Sequence, residues 1–180
     1  MTNPFFPRIQ CWRIPALLFQ QSLVEMAGDG VQGNEGVALW LGRREGAVAY
    51  LTQVVGVRGL SVLRLPDHLS LPGAAVNAVA DVGVNLGLSL LGQIHSHGPQ
   101  HGVDLSWVDR AHGISVPWFL SVVAPDYAQR SNTTLLECGV HVFERGCGFR
   151  RFDADELSAR VEITADEVRP IILVGEEVGT

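Results

Sequence analysis

Apolar residues recur along this chain with two different spacings, and the switches between them predict the elements. From Ala16, apolar positions fall at Ala16, Phe19, Leu23, Met26 and Ala27, one face of a helix. Pro15 stands where such a helix can begin, and Gly28-Asp29-Gly30 predicts its end. Gly33-Asn34 turns the chain into Glu35. Val37 to Gly42 reads as a buried strand, Arg43-Arg44-Glu45-Gly46 as a polar turn and Ala47 to Val57 as a second strand, together a hairpin. Ser61 to Leu65 is a third extended piece, and Pro66-Asp67-His68 and Leu71-Pro72-Gly73 mark loops. From Ala74, the spacing of Ala75, Val79, Val82 and Leu86 predicts a second helix; Gly83 and Gly87 weaken it unless close packing on a sheet compensates.

The second half follows the same grammar. Leu88 to His95 predicts a strand, about 105–112 a short helix ending at Gly113, and Trp118 to Ala124 a strand closed by Pro125-Asp126. Leu135 to Phe143 and Gly148 to Phe152 read as a final pair of strands, and Asp153-Ala154-Asp155-Glu156-Leu157 as the start of a helix with acids in its first turn. The proline-punctuated residues 1–9 read as extended, and the tail at about 170–180 as flexible. Strands separated by two substantial helices predict a mixed α/β class, a central mixed β-sheet flanked by helices, in one domain spanning 1–180.

Composition narrows the functions. With 47% hydrophobic and 18% charged residues, the 180-residue chain predicts a packed core. Apolar runs are interrupted well short of a membrane span, and the start, Met1-Thr2-Asn3-Pro4, has no signal-peptide pattern. A net charge of -6 argues against nucleic acid and fits a protein that works on another protein. Cys11, Cys138 and Cys147 form no Cys-x-x-Cys, and their odd number fits a reduced, cytoplasmic protein. A hairpin-spanning Cys138–Cys147 pair is open; two free buried thiols is the reading preferred.

The candidate chemistry lies in Gly92-Gln93-Ile94-His95-Ser96-His97 and the following Asp104-Leu105-Ser106-Trp107-Val108-Asp109. A strand ending in His-x-His puts both imidazoles on one side and Ser96 on the other. Asp104 reads as the helix N-cap, and Ser106 and Asp109, three apart, share a helix face. Two imidazoles and a carboxylate at a strand–helix junction supply three legs of a tetrahedral zinc site whose fourth position is open to water. His101 and Asp104 are the rival ligands if the loop shifts register. His112 reads as surface, and His68 and His141 as unrelated polar positions. Trp40, Trp107 and Trp118 read as core, with Trp12 open between core and surface.

On these residues the sequence resembles the JAMM (MPN+, Mov34/JAB) zinc metalloproteases, the isopeptidases that remove ubiquitin and ubiquitin-like modifiers. Their pattern, Glu on an early strand, His-x-His, a spacer and Ser-x-x-Asp, reads here as Glu35, His95-Ser96-His97 and Ser106-Trp107-Val108-Asp109. Two departures stand in the loop: Gly98 occupies the usual proline position, and the spacer from His97 to Ser106 holds eight residues, one more than expected. Glu35-Gly36-Val37-Ala38-Leu39-Trp40-Leu41-Gly42 and Trp118-Phe119-Leu120-Ser121-Val122-Val123-Ala124-Pro125 look like bacterial members associated with ubiquitin-like conjugation genes, so the likeness spans about residues 10–150.

The resemblance implies the MPN (JAB/cytidine-deaminase-like) fold, Zn2+ held by His95, His97 and Asp109, Glu35 as general base in preference to Glu25 or Glu45, and Ser106 as hydrogen-bond donor to the oxyanion. It implies hydrolysis after the C-terminal glycine of a ubiquitin-like protein, by deconjugation or precursor processing, with the tail entering along a strand edge. Partners would be that modifier, its conjugates and E1/E2-like enzymes of an antiphage defence pathway, with no nucleic acid and no membrane. The chain lacks the long insertions near the motif that accompany ubiquitin-chain specificity, so recognition is expected mainly through one modifier and its tail. The alternatives are a hydrolase acting on the C-terminus of a sulfur-carrier protein and a non-catalytic MPN scaffold.

Overall fold

The computed structural model describes residues 8–59 and 61–175. Residues 1–7, where most of the extended start was expected, and 176–180, the end of the expected tail, lie outside the described residues. The chain runs β1 (Cys11–Pro15), α1 (Ala16–Gly30), β2 (Val37–Glu45), β3 (Val48–Arg58), β4 (Leu63–Leu65), β5 (His68–Ser70), α2 (Gly73–Leu86), β6 (Ser89–Ser96), α3 (Trp107–His112), β7 (Leu120–Ala124), β8 (Gly139–Glu144), β9 (Gly148–Arg151), α4 (Ala154–Arg160), β10 (Val161–Thr164) and β11 (Ile172–Gly175). One mixed sheet has the order β10-β1-β3-β2-β6-β7-β8-β9, with β11 also on β3, while β4 and β5 form a separate two-stranded ribbon. The expected α/β class is what the chain adopts.

The sheet is covered on both faces because alternate side chains of β2 point opposite ways. Ala38 and Trp40 join Leu18, Phe19, Leu23 and Met26 of α1 in one core. Val37, Leu39 and Leu41 join Ala75 and Val79 of α2 in another. Gly83 of α2 lies against the Leu88 carbonyl, which a Cβ would approach to 2.9 Å, and Gly87 ends the helix in the left-handed conformation at φ 66°. Packing therefore offsets the low propensity of both glycines. Among the described residues no helix is long and apolar enough to cross a membrane.

Several boundaries differ from the sequence reading. Helix α1 continues through Gly28-Asp29-Gly30 instead of stopping there, because Gly30 packs directly under the Tyr127 carbonyl. The β2–β3 turn is tighter than expected, and Arg43 to Glu45 belong to β2. His68 opens β5 instead of lying in a loop, and Leu135–Glu137 is a 3-10 turn before β8. Strands β1, β10 and β11 have no counterpart in the predicted elements. β10 follows α4 and pairs in parallel with β1, and β11 covers the second half of β3. The tail is thus a strand as far as Gly175. All three cysteines are free, but only Cys138 is buried; Cys147 is exposed.

An ion network ties the last helix to the start of the chain. Glu156 receives Arg150 (Nη2, 2.7 Å) and Arg160 (Nη1, 2.7 Å), and Arg160 reaches back to the Ile9 and Gln10 carbonyls. The Arg160 guanidinium also lies 4.9 Å from the Trp12 ring centroid and 4.7 Å from that of Phe152. The hydrogen bond from Arg150, and to a lesser extent that from Arg160, lower the Glu156 carboxyl to about 2 against the effect of burial. A second constraint is a turn in which Asp126, Tyr127 and Ala128 all have left-handed φ (53°, 53° and 56°), costing roughly 1–2 kcal/mol per residue. Tyr127 N–H donates to the His97 carbonyl at 2.8 Å and its hydroxyl to the Pro66 carbonyl at 2.9 Å. Its ring lies over Gly98, where an added Cβ would come within 2.5 Å of Oη.

Glu156→Gln should destabilise the chain by about 1–2 kcal/mol at neutral pH after allowance for solvent screening. A depressed carboxyl pKa contributes stability above its unfolded value, so the wild-type advantage should fade as pH drops from about 5 towards 2; urea titrations of both chains at several pH values measure this. Gly98→Ala should cost about 1–3 kcal/mol through overpacking on Tyr127, and adding Tyr127→Ala should remove much of that penalty. Equal urea midpoints for wild type and Gly98→Ala would contradict the packing.

Candidate metal centre

Strand β6 is where the sheet changes direction: it runs antiparallel to β2 and parallel to β7. Parallel neighbours need a crossover, so the chain leaves the carboxyl end of β6, forms a loop and α3, and returns as β7. Ligand sites in α/β sheets favour such an end. His95 pairs across the sheet with Val37 on one side and Val123 on the other, and His97 N–H continues the parallel pairing to the Ala124 carbonyl at 2.9 Å. The imidazoles therefore lie on one face, with their Nε2 atoms 3.2 Å apart. Ser96 points away and is structural, as expected: its hydroxyl accepts the Gly36 N–H at 2.9 Å, and its N–H donates to the Gly36 carbonyl at 3.0 Å.

That reciprocal contact brings Glu35 to the histidines. Its N–H donates to the Leu65 carbonyl at 3.0 Å, and its Oε1 lies 4.0 Å from His97 Nε2. Asp109 arrives on α3: Oδ1 is 3.6 Å from His95 Nε2 and Oδ2 is 3.4 Å from His97 Nε2. His95, His97 and Asp109 each place a donor atom within 4.8 Å of the others, the grouping expected of a metal site. The rivals fall away. His101 is exposed, its ring centroid 6.4 Å from that of His97, and neither it nor Asp104 belongs to the cluster. Glu25 pairs with Arg58, and Glu45 sits at the opposite end of β2 from Glu35.

Ser106, not Asp104, caps α3. Its hydroxyl accepts the Asp109 N–H at 3.1 Å while Asp109 Oδ2 accepts the Ser106 N–H at 2.8 Å, a capping box that puts the Asp109 carboxylate at the helix start. The Ser106 hydroxyl also donates to Oδ2 at 2.7 Å, so in this structure it serves the carboxylate. Asp104 accepts from Leu105 N–H, Arg110 and His141 instead. His141 is accordingly a buried, bonded residue and not an unrelated polar position.

The electrostatics suit proton transfer and cation binding. Burial pushes the Glu35 carboxyl up to about 7; Asp109 and Asp67 add to this, against the pull of His97. Burial disfavours the Asp109 carboxylate, yet the adjoining His95 and His97 imidazoles and the hydrogen bond from Ser106 hold it far below the usual carboxylate range. Burial likewise pulls His97 down, but Asp109 and the Gly102 carbonyl raise it overall. His97 Nδ1 lies 2.8 Å from the Gly102 carbonyl, which can only accept. The neutral ring therefore carries its proton on Nδ1 and presents the Nε2 lone pair to the cluster.

A cavity of about 540 Å³ opens beside His95 and Asp109, lined in part by Leu71, Val76, Asn77, His112 and Ile114. His68 also lines it, a role its loop-like sequence context hid. Trp107 corrects the core assignment: it is 75% exposed on α3, a helix with no buried residue. Its i+3 and i+4 neighbours are Arg110 and the small Ala111, and that lack of a large apolar partner was the available signal.

No family model and no curated protein matches the sequence. Solved structures match the fold. The solution structure of a protein from Desulfitobacterium hafniense is similar with a TM-score of 0.59 and 18% identity, over 92% of this chain and 94% of that one. The solution structure of a protein from Salinibacter ruber strain DSM 13855 is similar with a TM-score of 0.52 and 18% identity, over 78% of this chain and 88% of the other. At that identity the likeness is one of fold.

Proposed function

We propose that this chain is a zinc-dependent amide hydrolase with an MPN fold, cleaving after the C-terminal glycine of a ubiquitin-like protein. The observation that carries the metal is the spacing of its donors. Zinc–ligand bonds of about 2.0–2.1 Å give a tetrahedron edges of about 3.3–3.4 Å. His95 Nε2 and His97 Nε2 are 3.2 Å apart, His97 Nε2 is 3.4 Å from Asp109 Oδ2 and His95 Nε2 is 3.6 Å from the other oxygen, Oδ1, so the donors lie at about that spacing. Two imidazole nitrogens and one carboxylate suit zinc, and a three-residue set leaves a position for substrate or water.

When bound, zinc supplies a Lewis acid that polarises a carbonyl and makes water a competent nucleophile near neutral pH. His95, His97 and Asp109 would hold it. Glu35, buried at the edge of the cluster, takes the proton of the attacking water and passes it to the leaving nitrogen. Burial raises this carboxyl to about 7 in the metal-free chain, and a bound cation would pull it back towards the carboxylate that a base needs. Ser106 orients Asp109 and, as charge develops on the carbonyl oxygen, offers it the hydroxyl proton.

Glycines suit the substrate tail because His95 and Asp109 are only partly reachable, with side-chain exposures of 1% and 12%. A chain without bulky side chains at the scissile bond approaches such a site most closely. The ubiquitin-like class of substrate, with E1/E2-like partners, comes from the likeness of Glu35, His95-Ser96-His97 and Ser106–Asp109 to the JAMM pattern.

Elemental analysis of chain purified without chelator should find about one zinc per wild-type molecule and little in His97→Ala. Absence of metal from both, even after zinc is added back, would overturn the proposal. Glu35→Gln should keep its zinc but hydrolyse a Gly-Gly-linked ubiquitin-like fusion about 10²–10⁴-fold more slowly. Wild-type turnover by this variant would remove Glu35 from the chemistry.

A further inference from the structure

Behind the loop that links the proposed ligands lies a half-buried contact, between a buried histidine and an exposed aspartate, that the chemistry above does not use. His141, on β8, is 0% exposed, and its Nε2 lies 2.7 Å from Asp104 Oδ1. A carboxylate can only accept, so the neutral imidazole carries its proton on Nε2; Nδ1 has no partner. The same Oδ1 accepts from Leu105 N–H and from Arg110 Nη2, each at 2.9 Å. Arg110 then donates to the Leu105 carbonyl at 3.2 Å and the Phe149 carbonyl at 2.8 Å, fastening the loop to β9. Two residues before His141, Gly139 has no side chain, and the Val103 carbonyl occupies the place of its Cβ.

Asp104 stands between the two ends of the metal site. Two residues earlier, the Gly102 carbonyl holds His97 Nδ1. Two residues later, Ser106 starts α3 and fixes Asp109. Eight residues lie between His97 and Ser106, and the Asp104 contact fastens that span to β8. We infer that His141 and Asp104 are positioning residues, which pin this loop from β8 so that the Gly102 carbonyl and the Ser106–Asp109 cap hold His97 and Asp109 in ligating geometry. This rests on His95, His97 and Asp109 being a metal site. A buried histidine that merely filled space would tolerate an apolar replacement with no effect on the metal.

The test is zinc affinity, measured by competition with a chromophoric chelator, alongside the thermal unfolding midpoint of each metal-free chain. His141→Leu and Asp104→Ala should each weaken zinc about ten-fold or more. The double variant should bind no more weakly than Asp104→Ala alone, because His141 acts through that carboxylate. His141→Gln, which keeps an N–H donor, should recover most of the affinity. The metal-free midpoint of His141→Leu should not fall. Wild-type zinc affinity in both single variants would overturn the inference, as would a loss that follows metal-free stability and is not rescued by glutamine. A wild-type chain that binds no zinc would instead overturn the metal site itself, and the inference with it.

Discussion

The arrangement of the site depends on the register of β6 against β2. Ser96 and Gly36 fix it with two hydrogen bonds, one from each backbone N–H, across 60 positions of sequence. A slip of a single residue would exchange the faces of β6 and turn His95 and His97 towards the α1 core, where Ile94 now packs. It would also move Glu35 away from the imidazoles. The apolar alternation of β2, with Trp40 on one face and Leu39 and Leu41 on the other, penalises that slip. Core packing therefore specifies where the candidate general base stands.

Given that register, the third member of the cluster follows from the crossover. Parallel pairing of β6 with β7 forces a connection over the carboxyl end of the sheet, and α3 is that connection. A helix of six residues with no buried side chain has little intrinsic stability. It is held by its Ser106–Asp109 capping box and by Arg110, and the cap is built from the carboxylate that faces the imidazoles. Helix capping and the orientation of the Asp109 carboxylate are thus one set of hydrogen bonds. From the other flank, Tyr127 ties the His97 carbonyl to the Pro66 carbonyl through a left-handed turn. Gly98, the departure from the usual proline, is the residue that makes room for its ring.

What could be read from the sequence was what depends on local period. Helices α1 and α2, the β2–β3 hairpin, and strands β6 and β7 follow from apolar spacing, and the shared face of His95 and His97 follows from strand alternation. The cluster of His95, His97 and Asp109, with Glu35 beside it, was legible because a strand end, a short helix and a strand start were each recognisable. The misses depend on distant partners. Strands β1, β10 and β11 are short and only partly buried, and β1 meets β10 across a separation of 149 positions at Arg13 and Glu162. Asp104 and Ser106 are both good caps, and only β8 decides between them by presenting His141 to Asp104. The turn at Tyr127 has no glycine to announce its left-handed backbone.

The same cluster is a place where stability is given up. Removing Asp109 from water is costly, and its compensation comes from Ser106 and two imidazoles that are themselves buried. Glu35, nearby, meets the same burial with only the weaker pull of His97 against it and is pushed towards the neutral acid. If both Nε2 atoms present lone pairs, as ligation would require, those lone pairs face each other across 3.2 Å with no proton between them. His95 Nδ1 is also buried without a hydrogen bond. A core of the same volume built from apolar residues would avoid each of these costs. Converging acceptors in a buried pocket, fixed by a strand register, a helix cap and a restrained loop, are costly on their own; the proposed zinc would repay their desolvation.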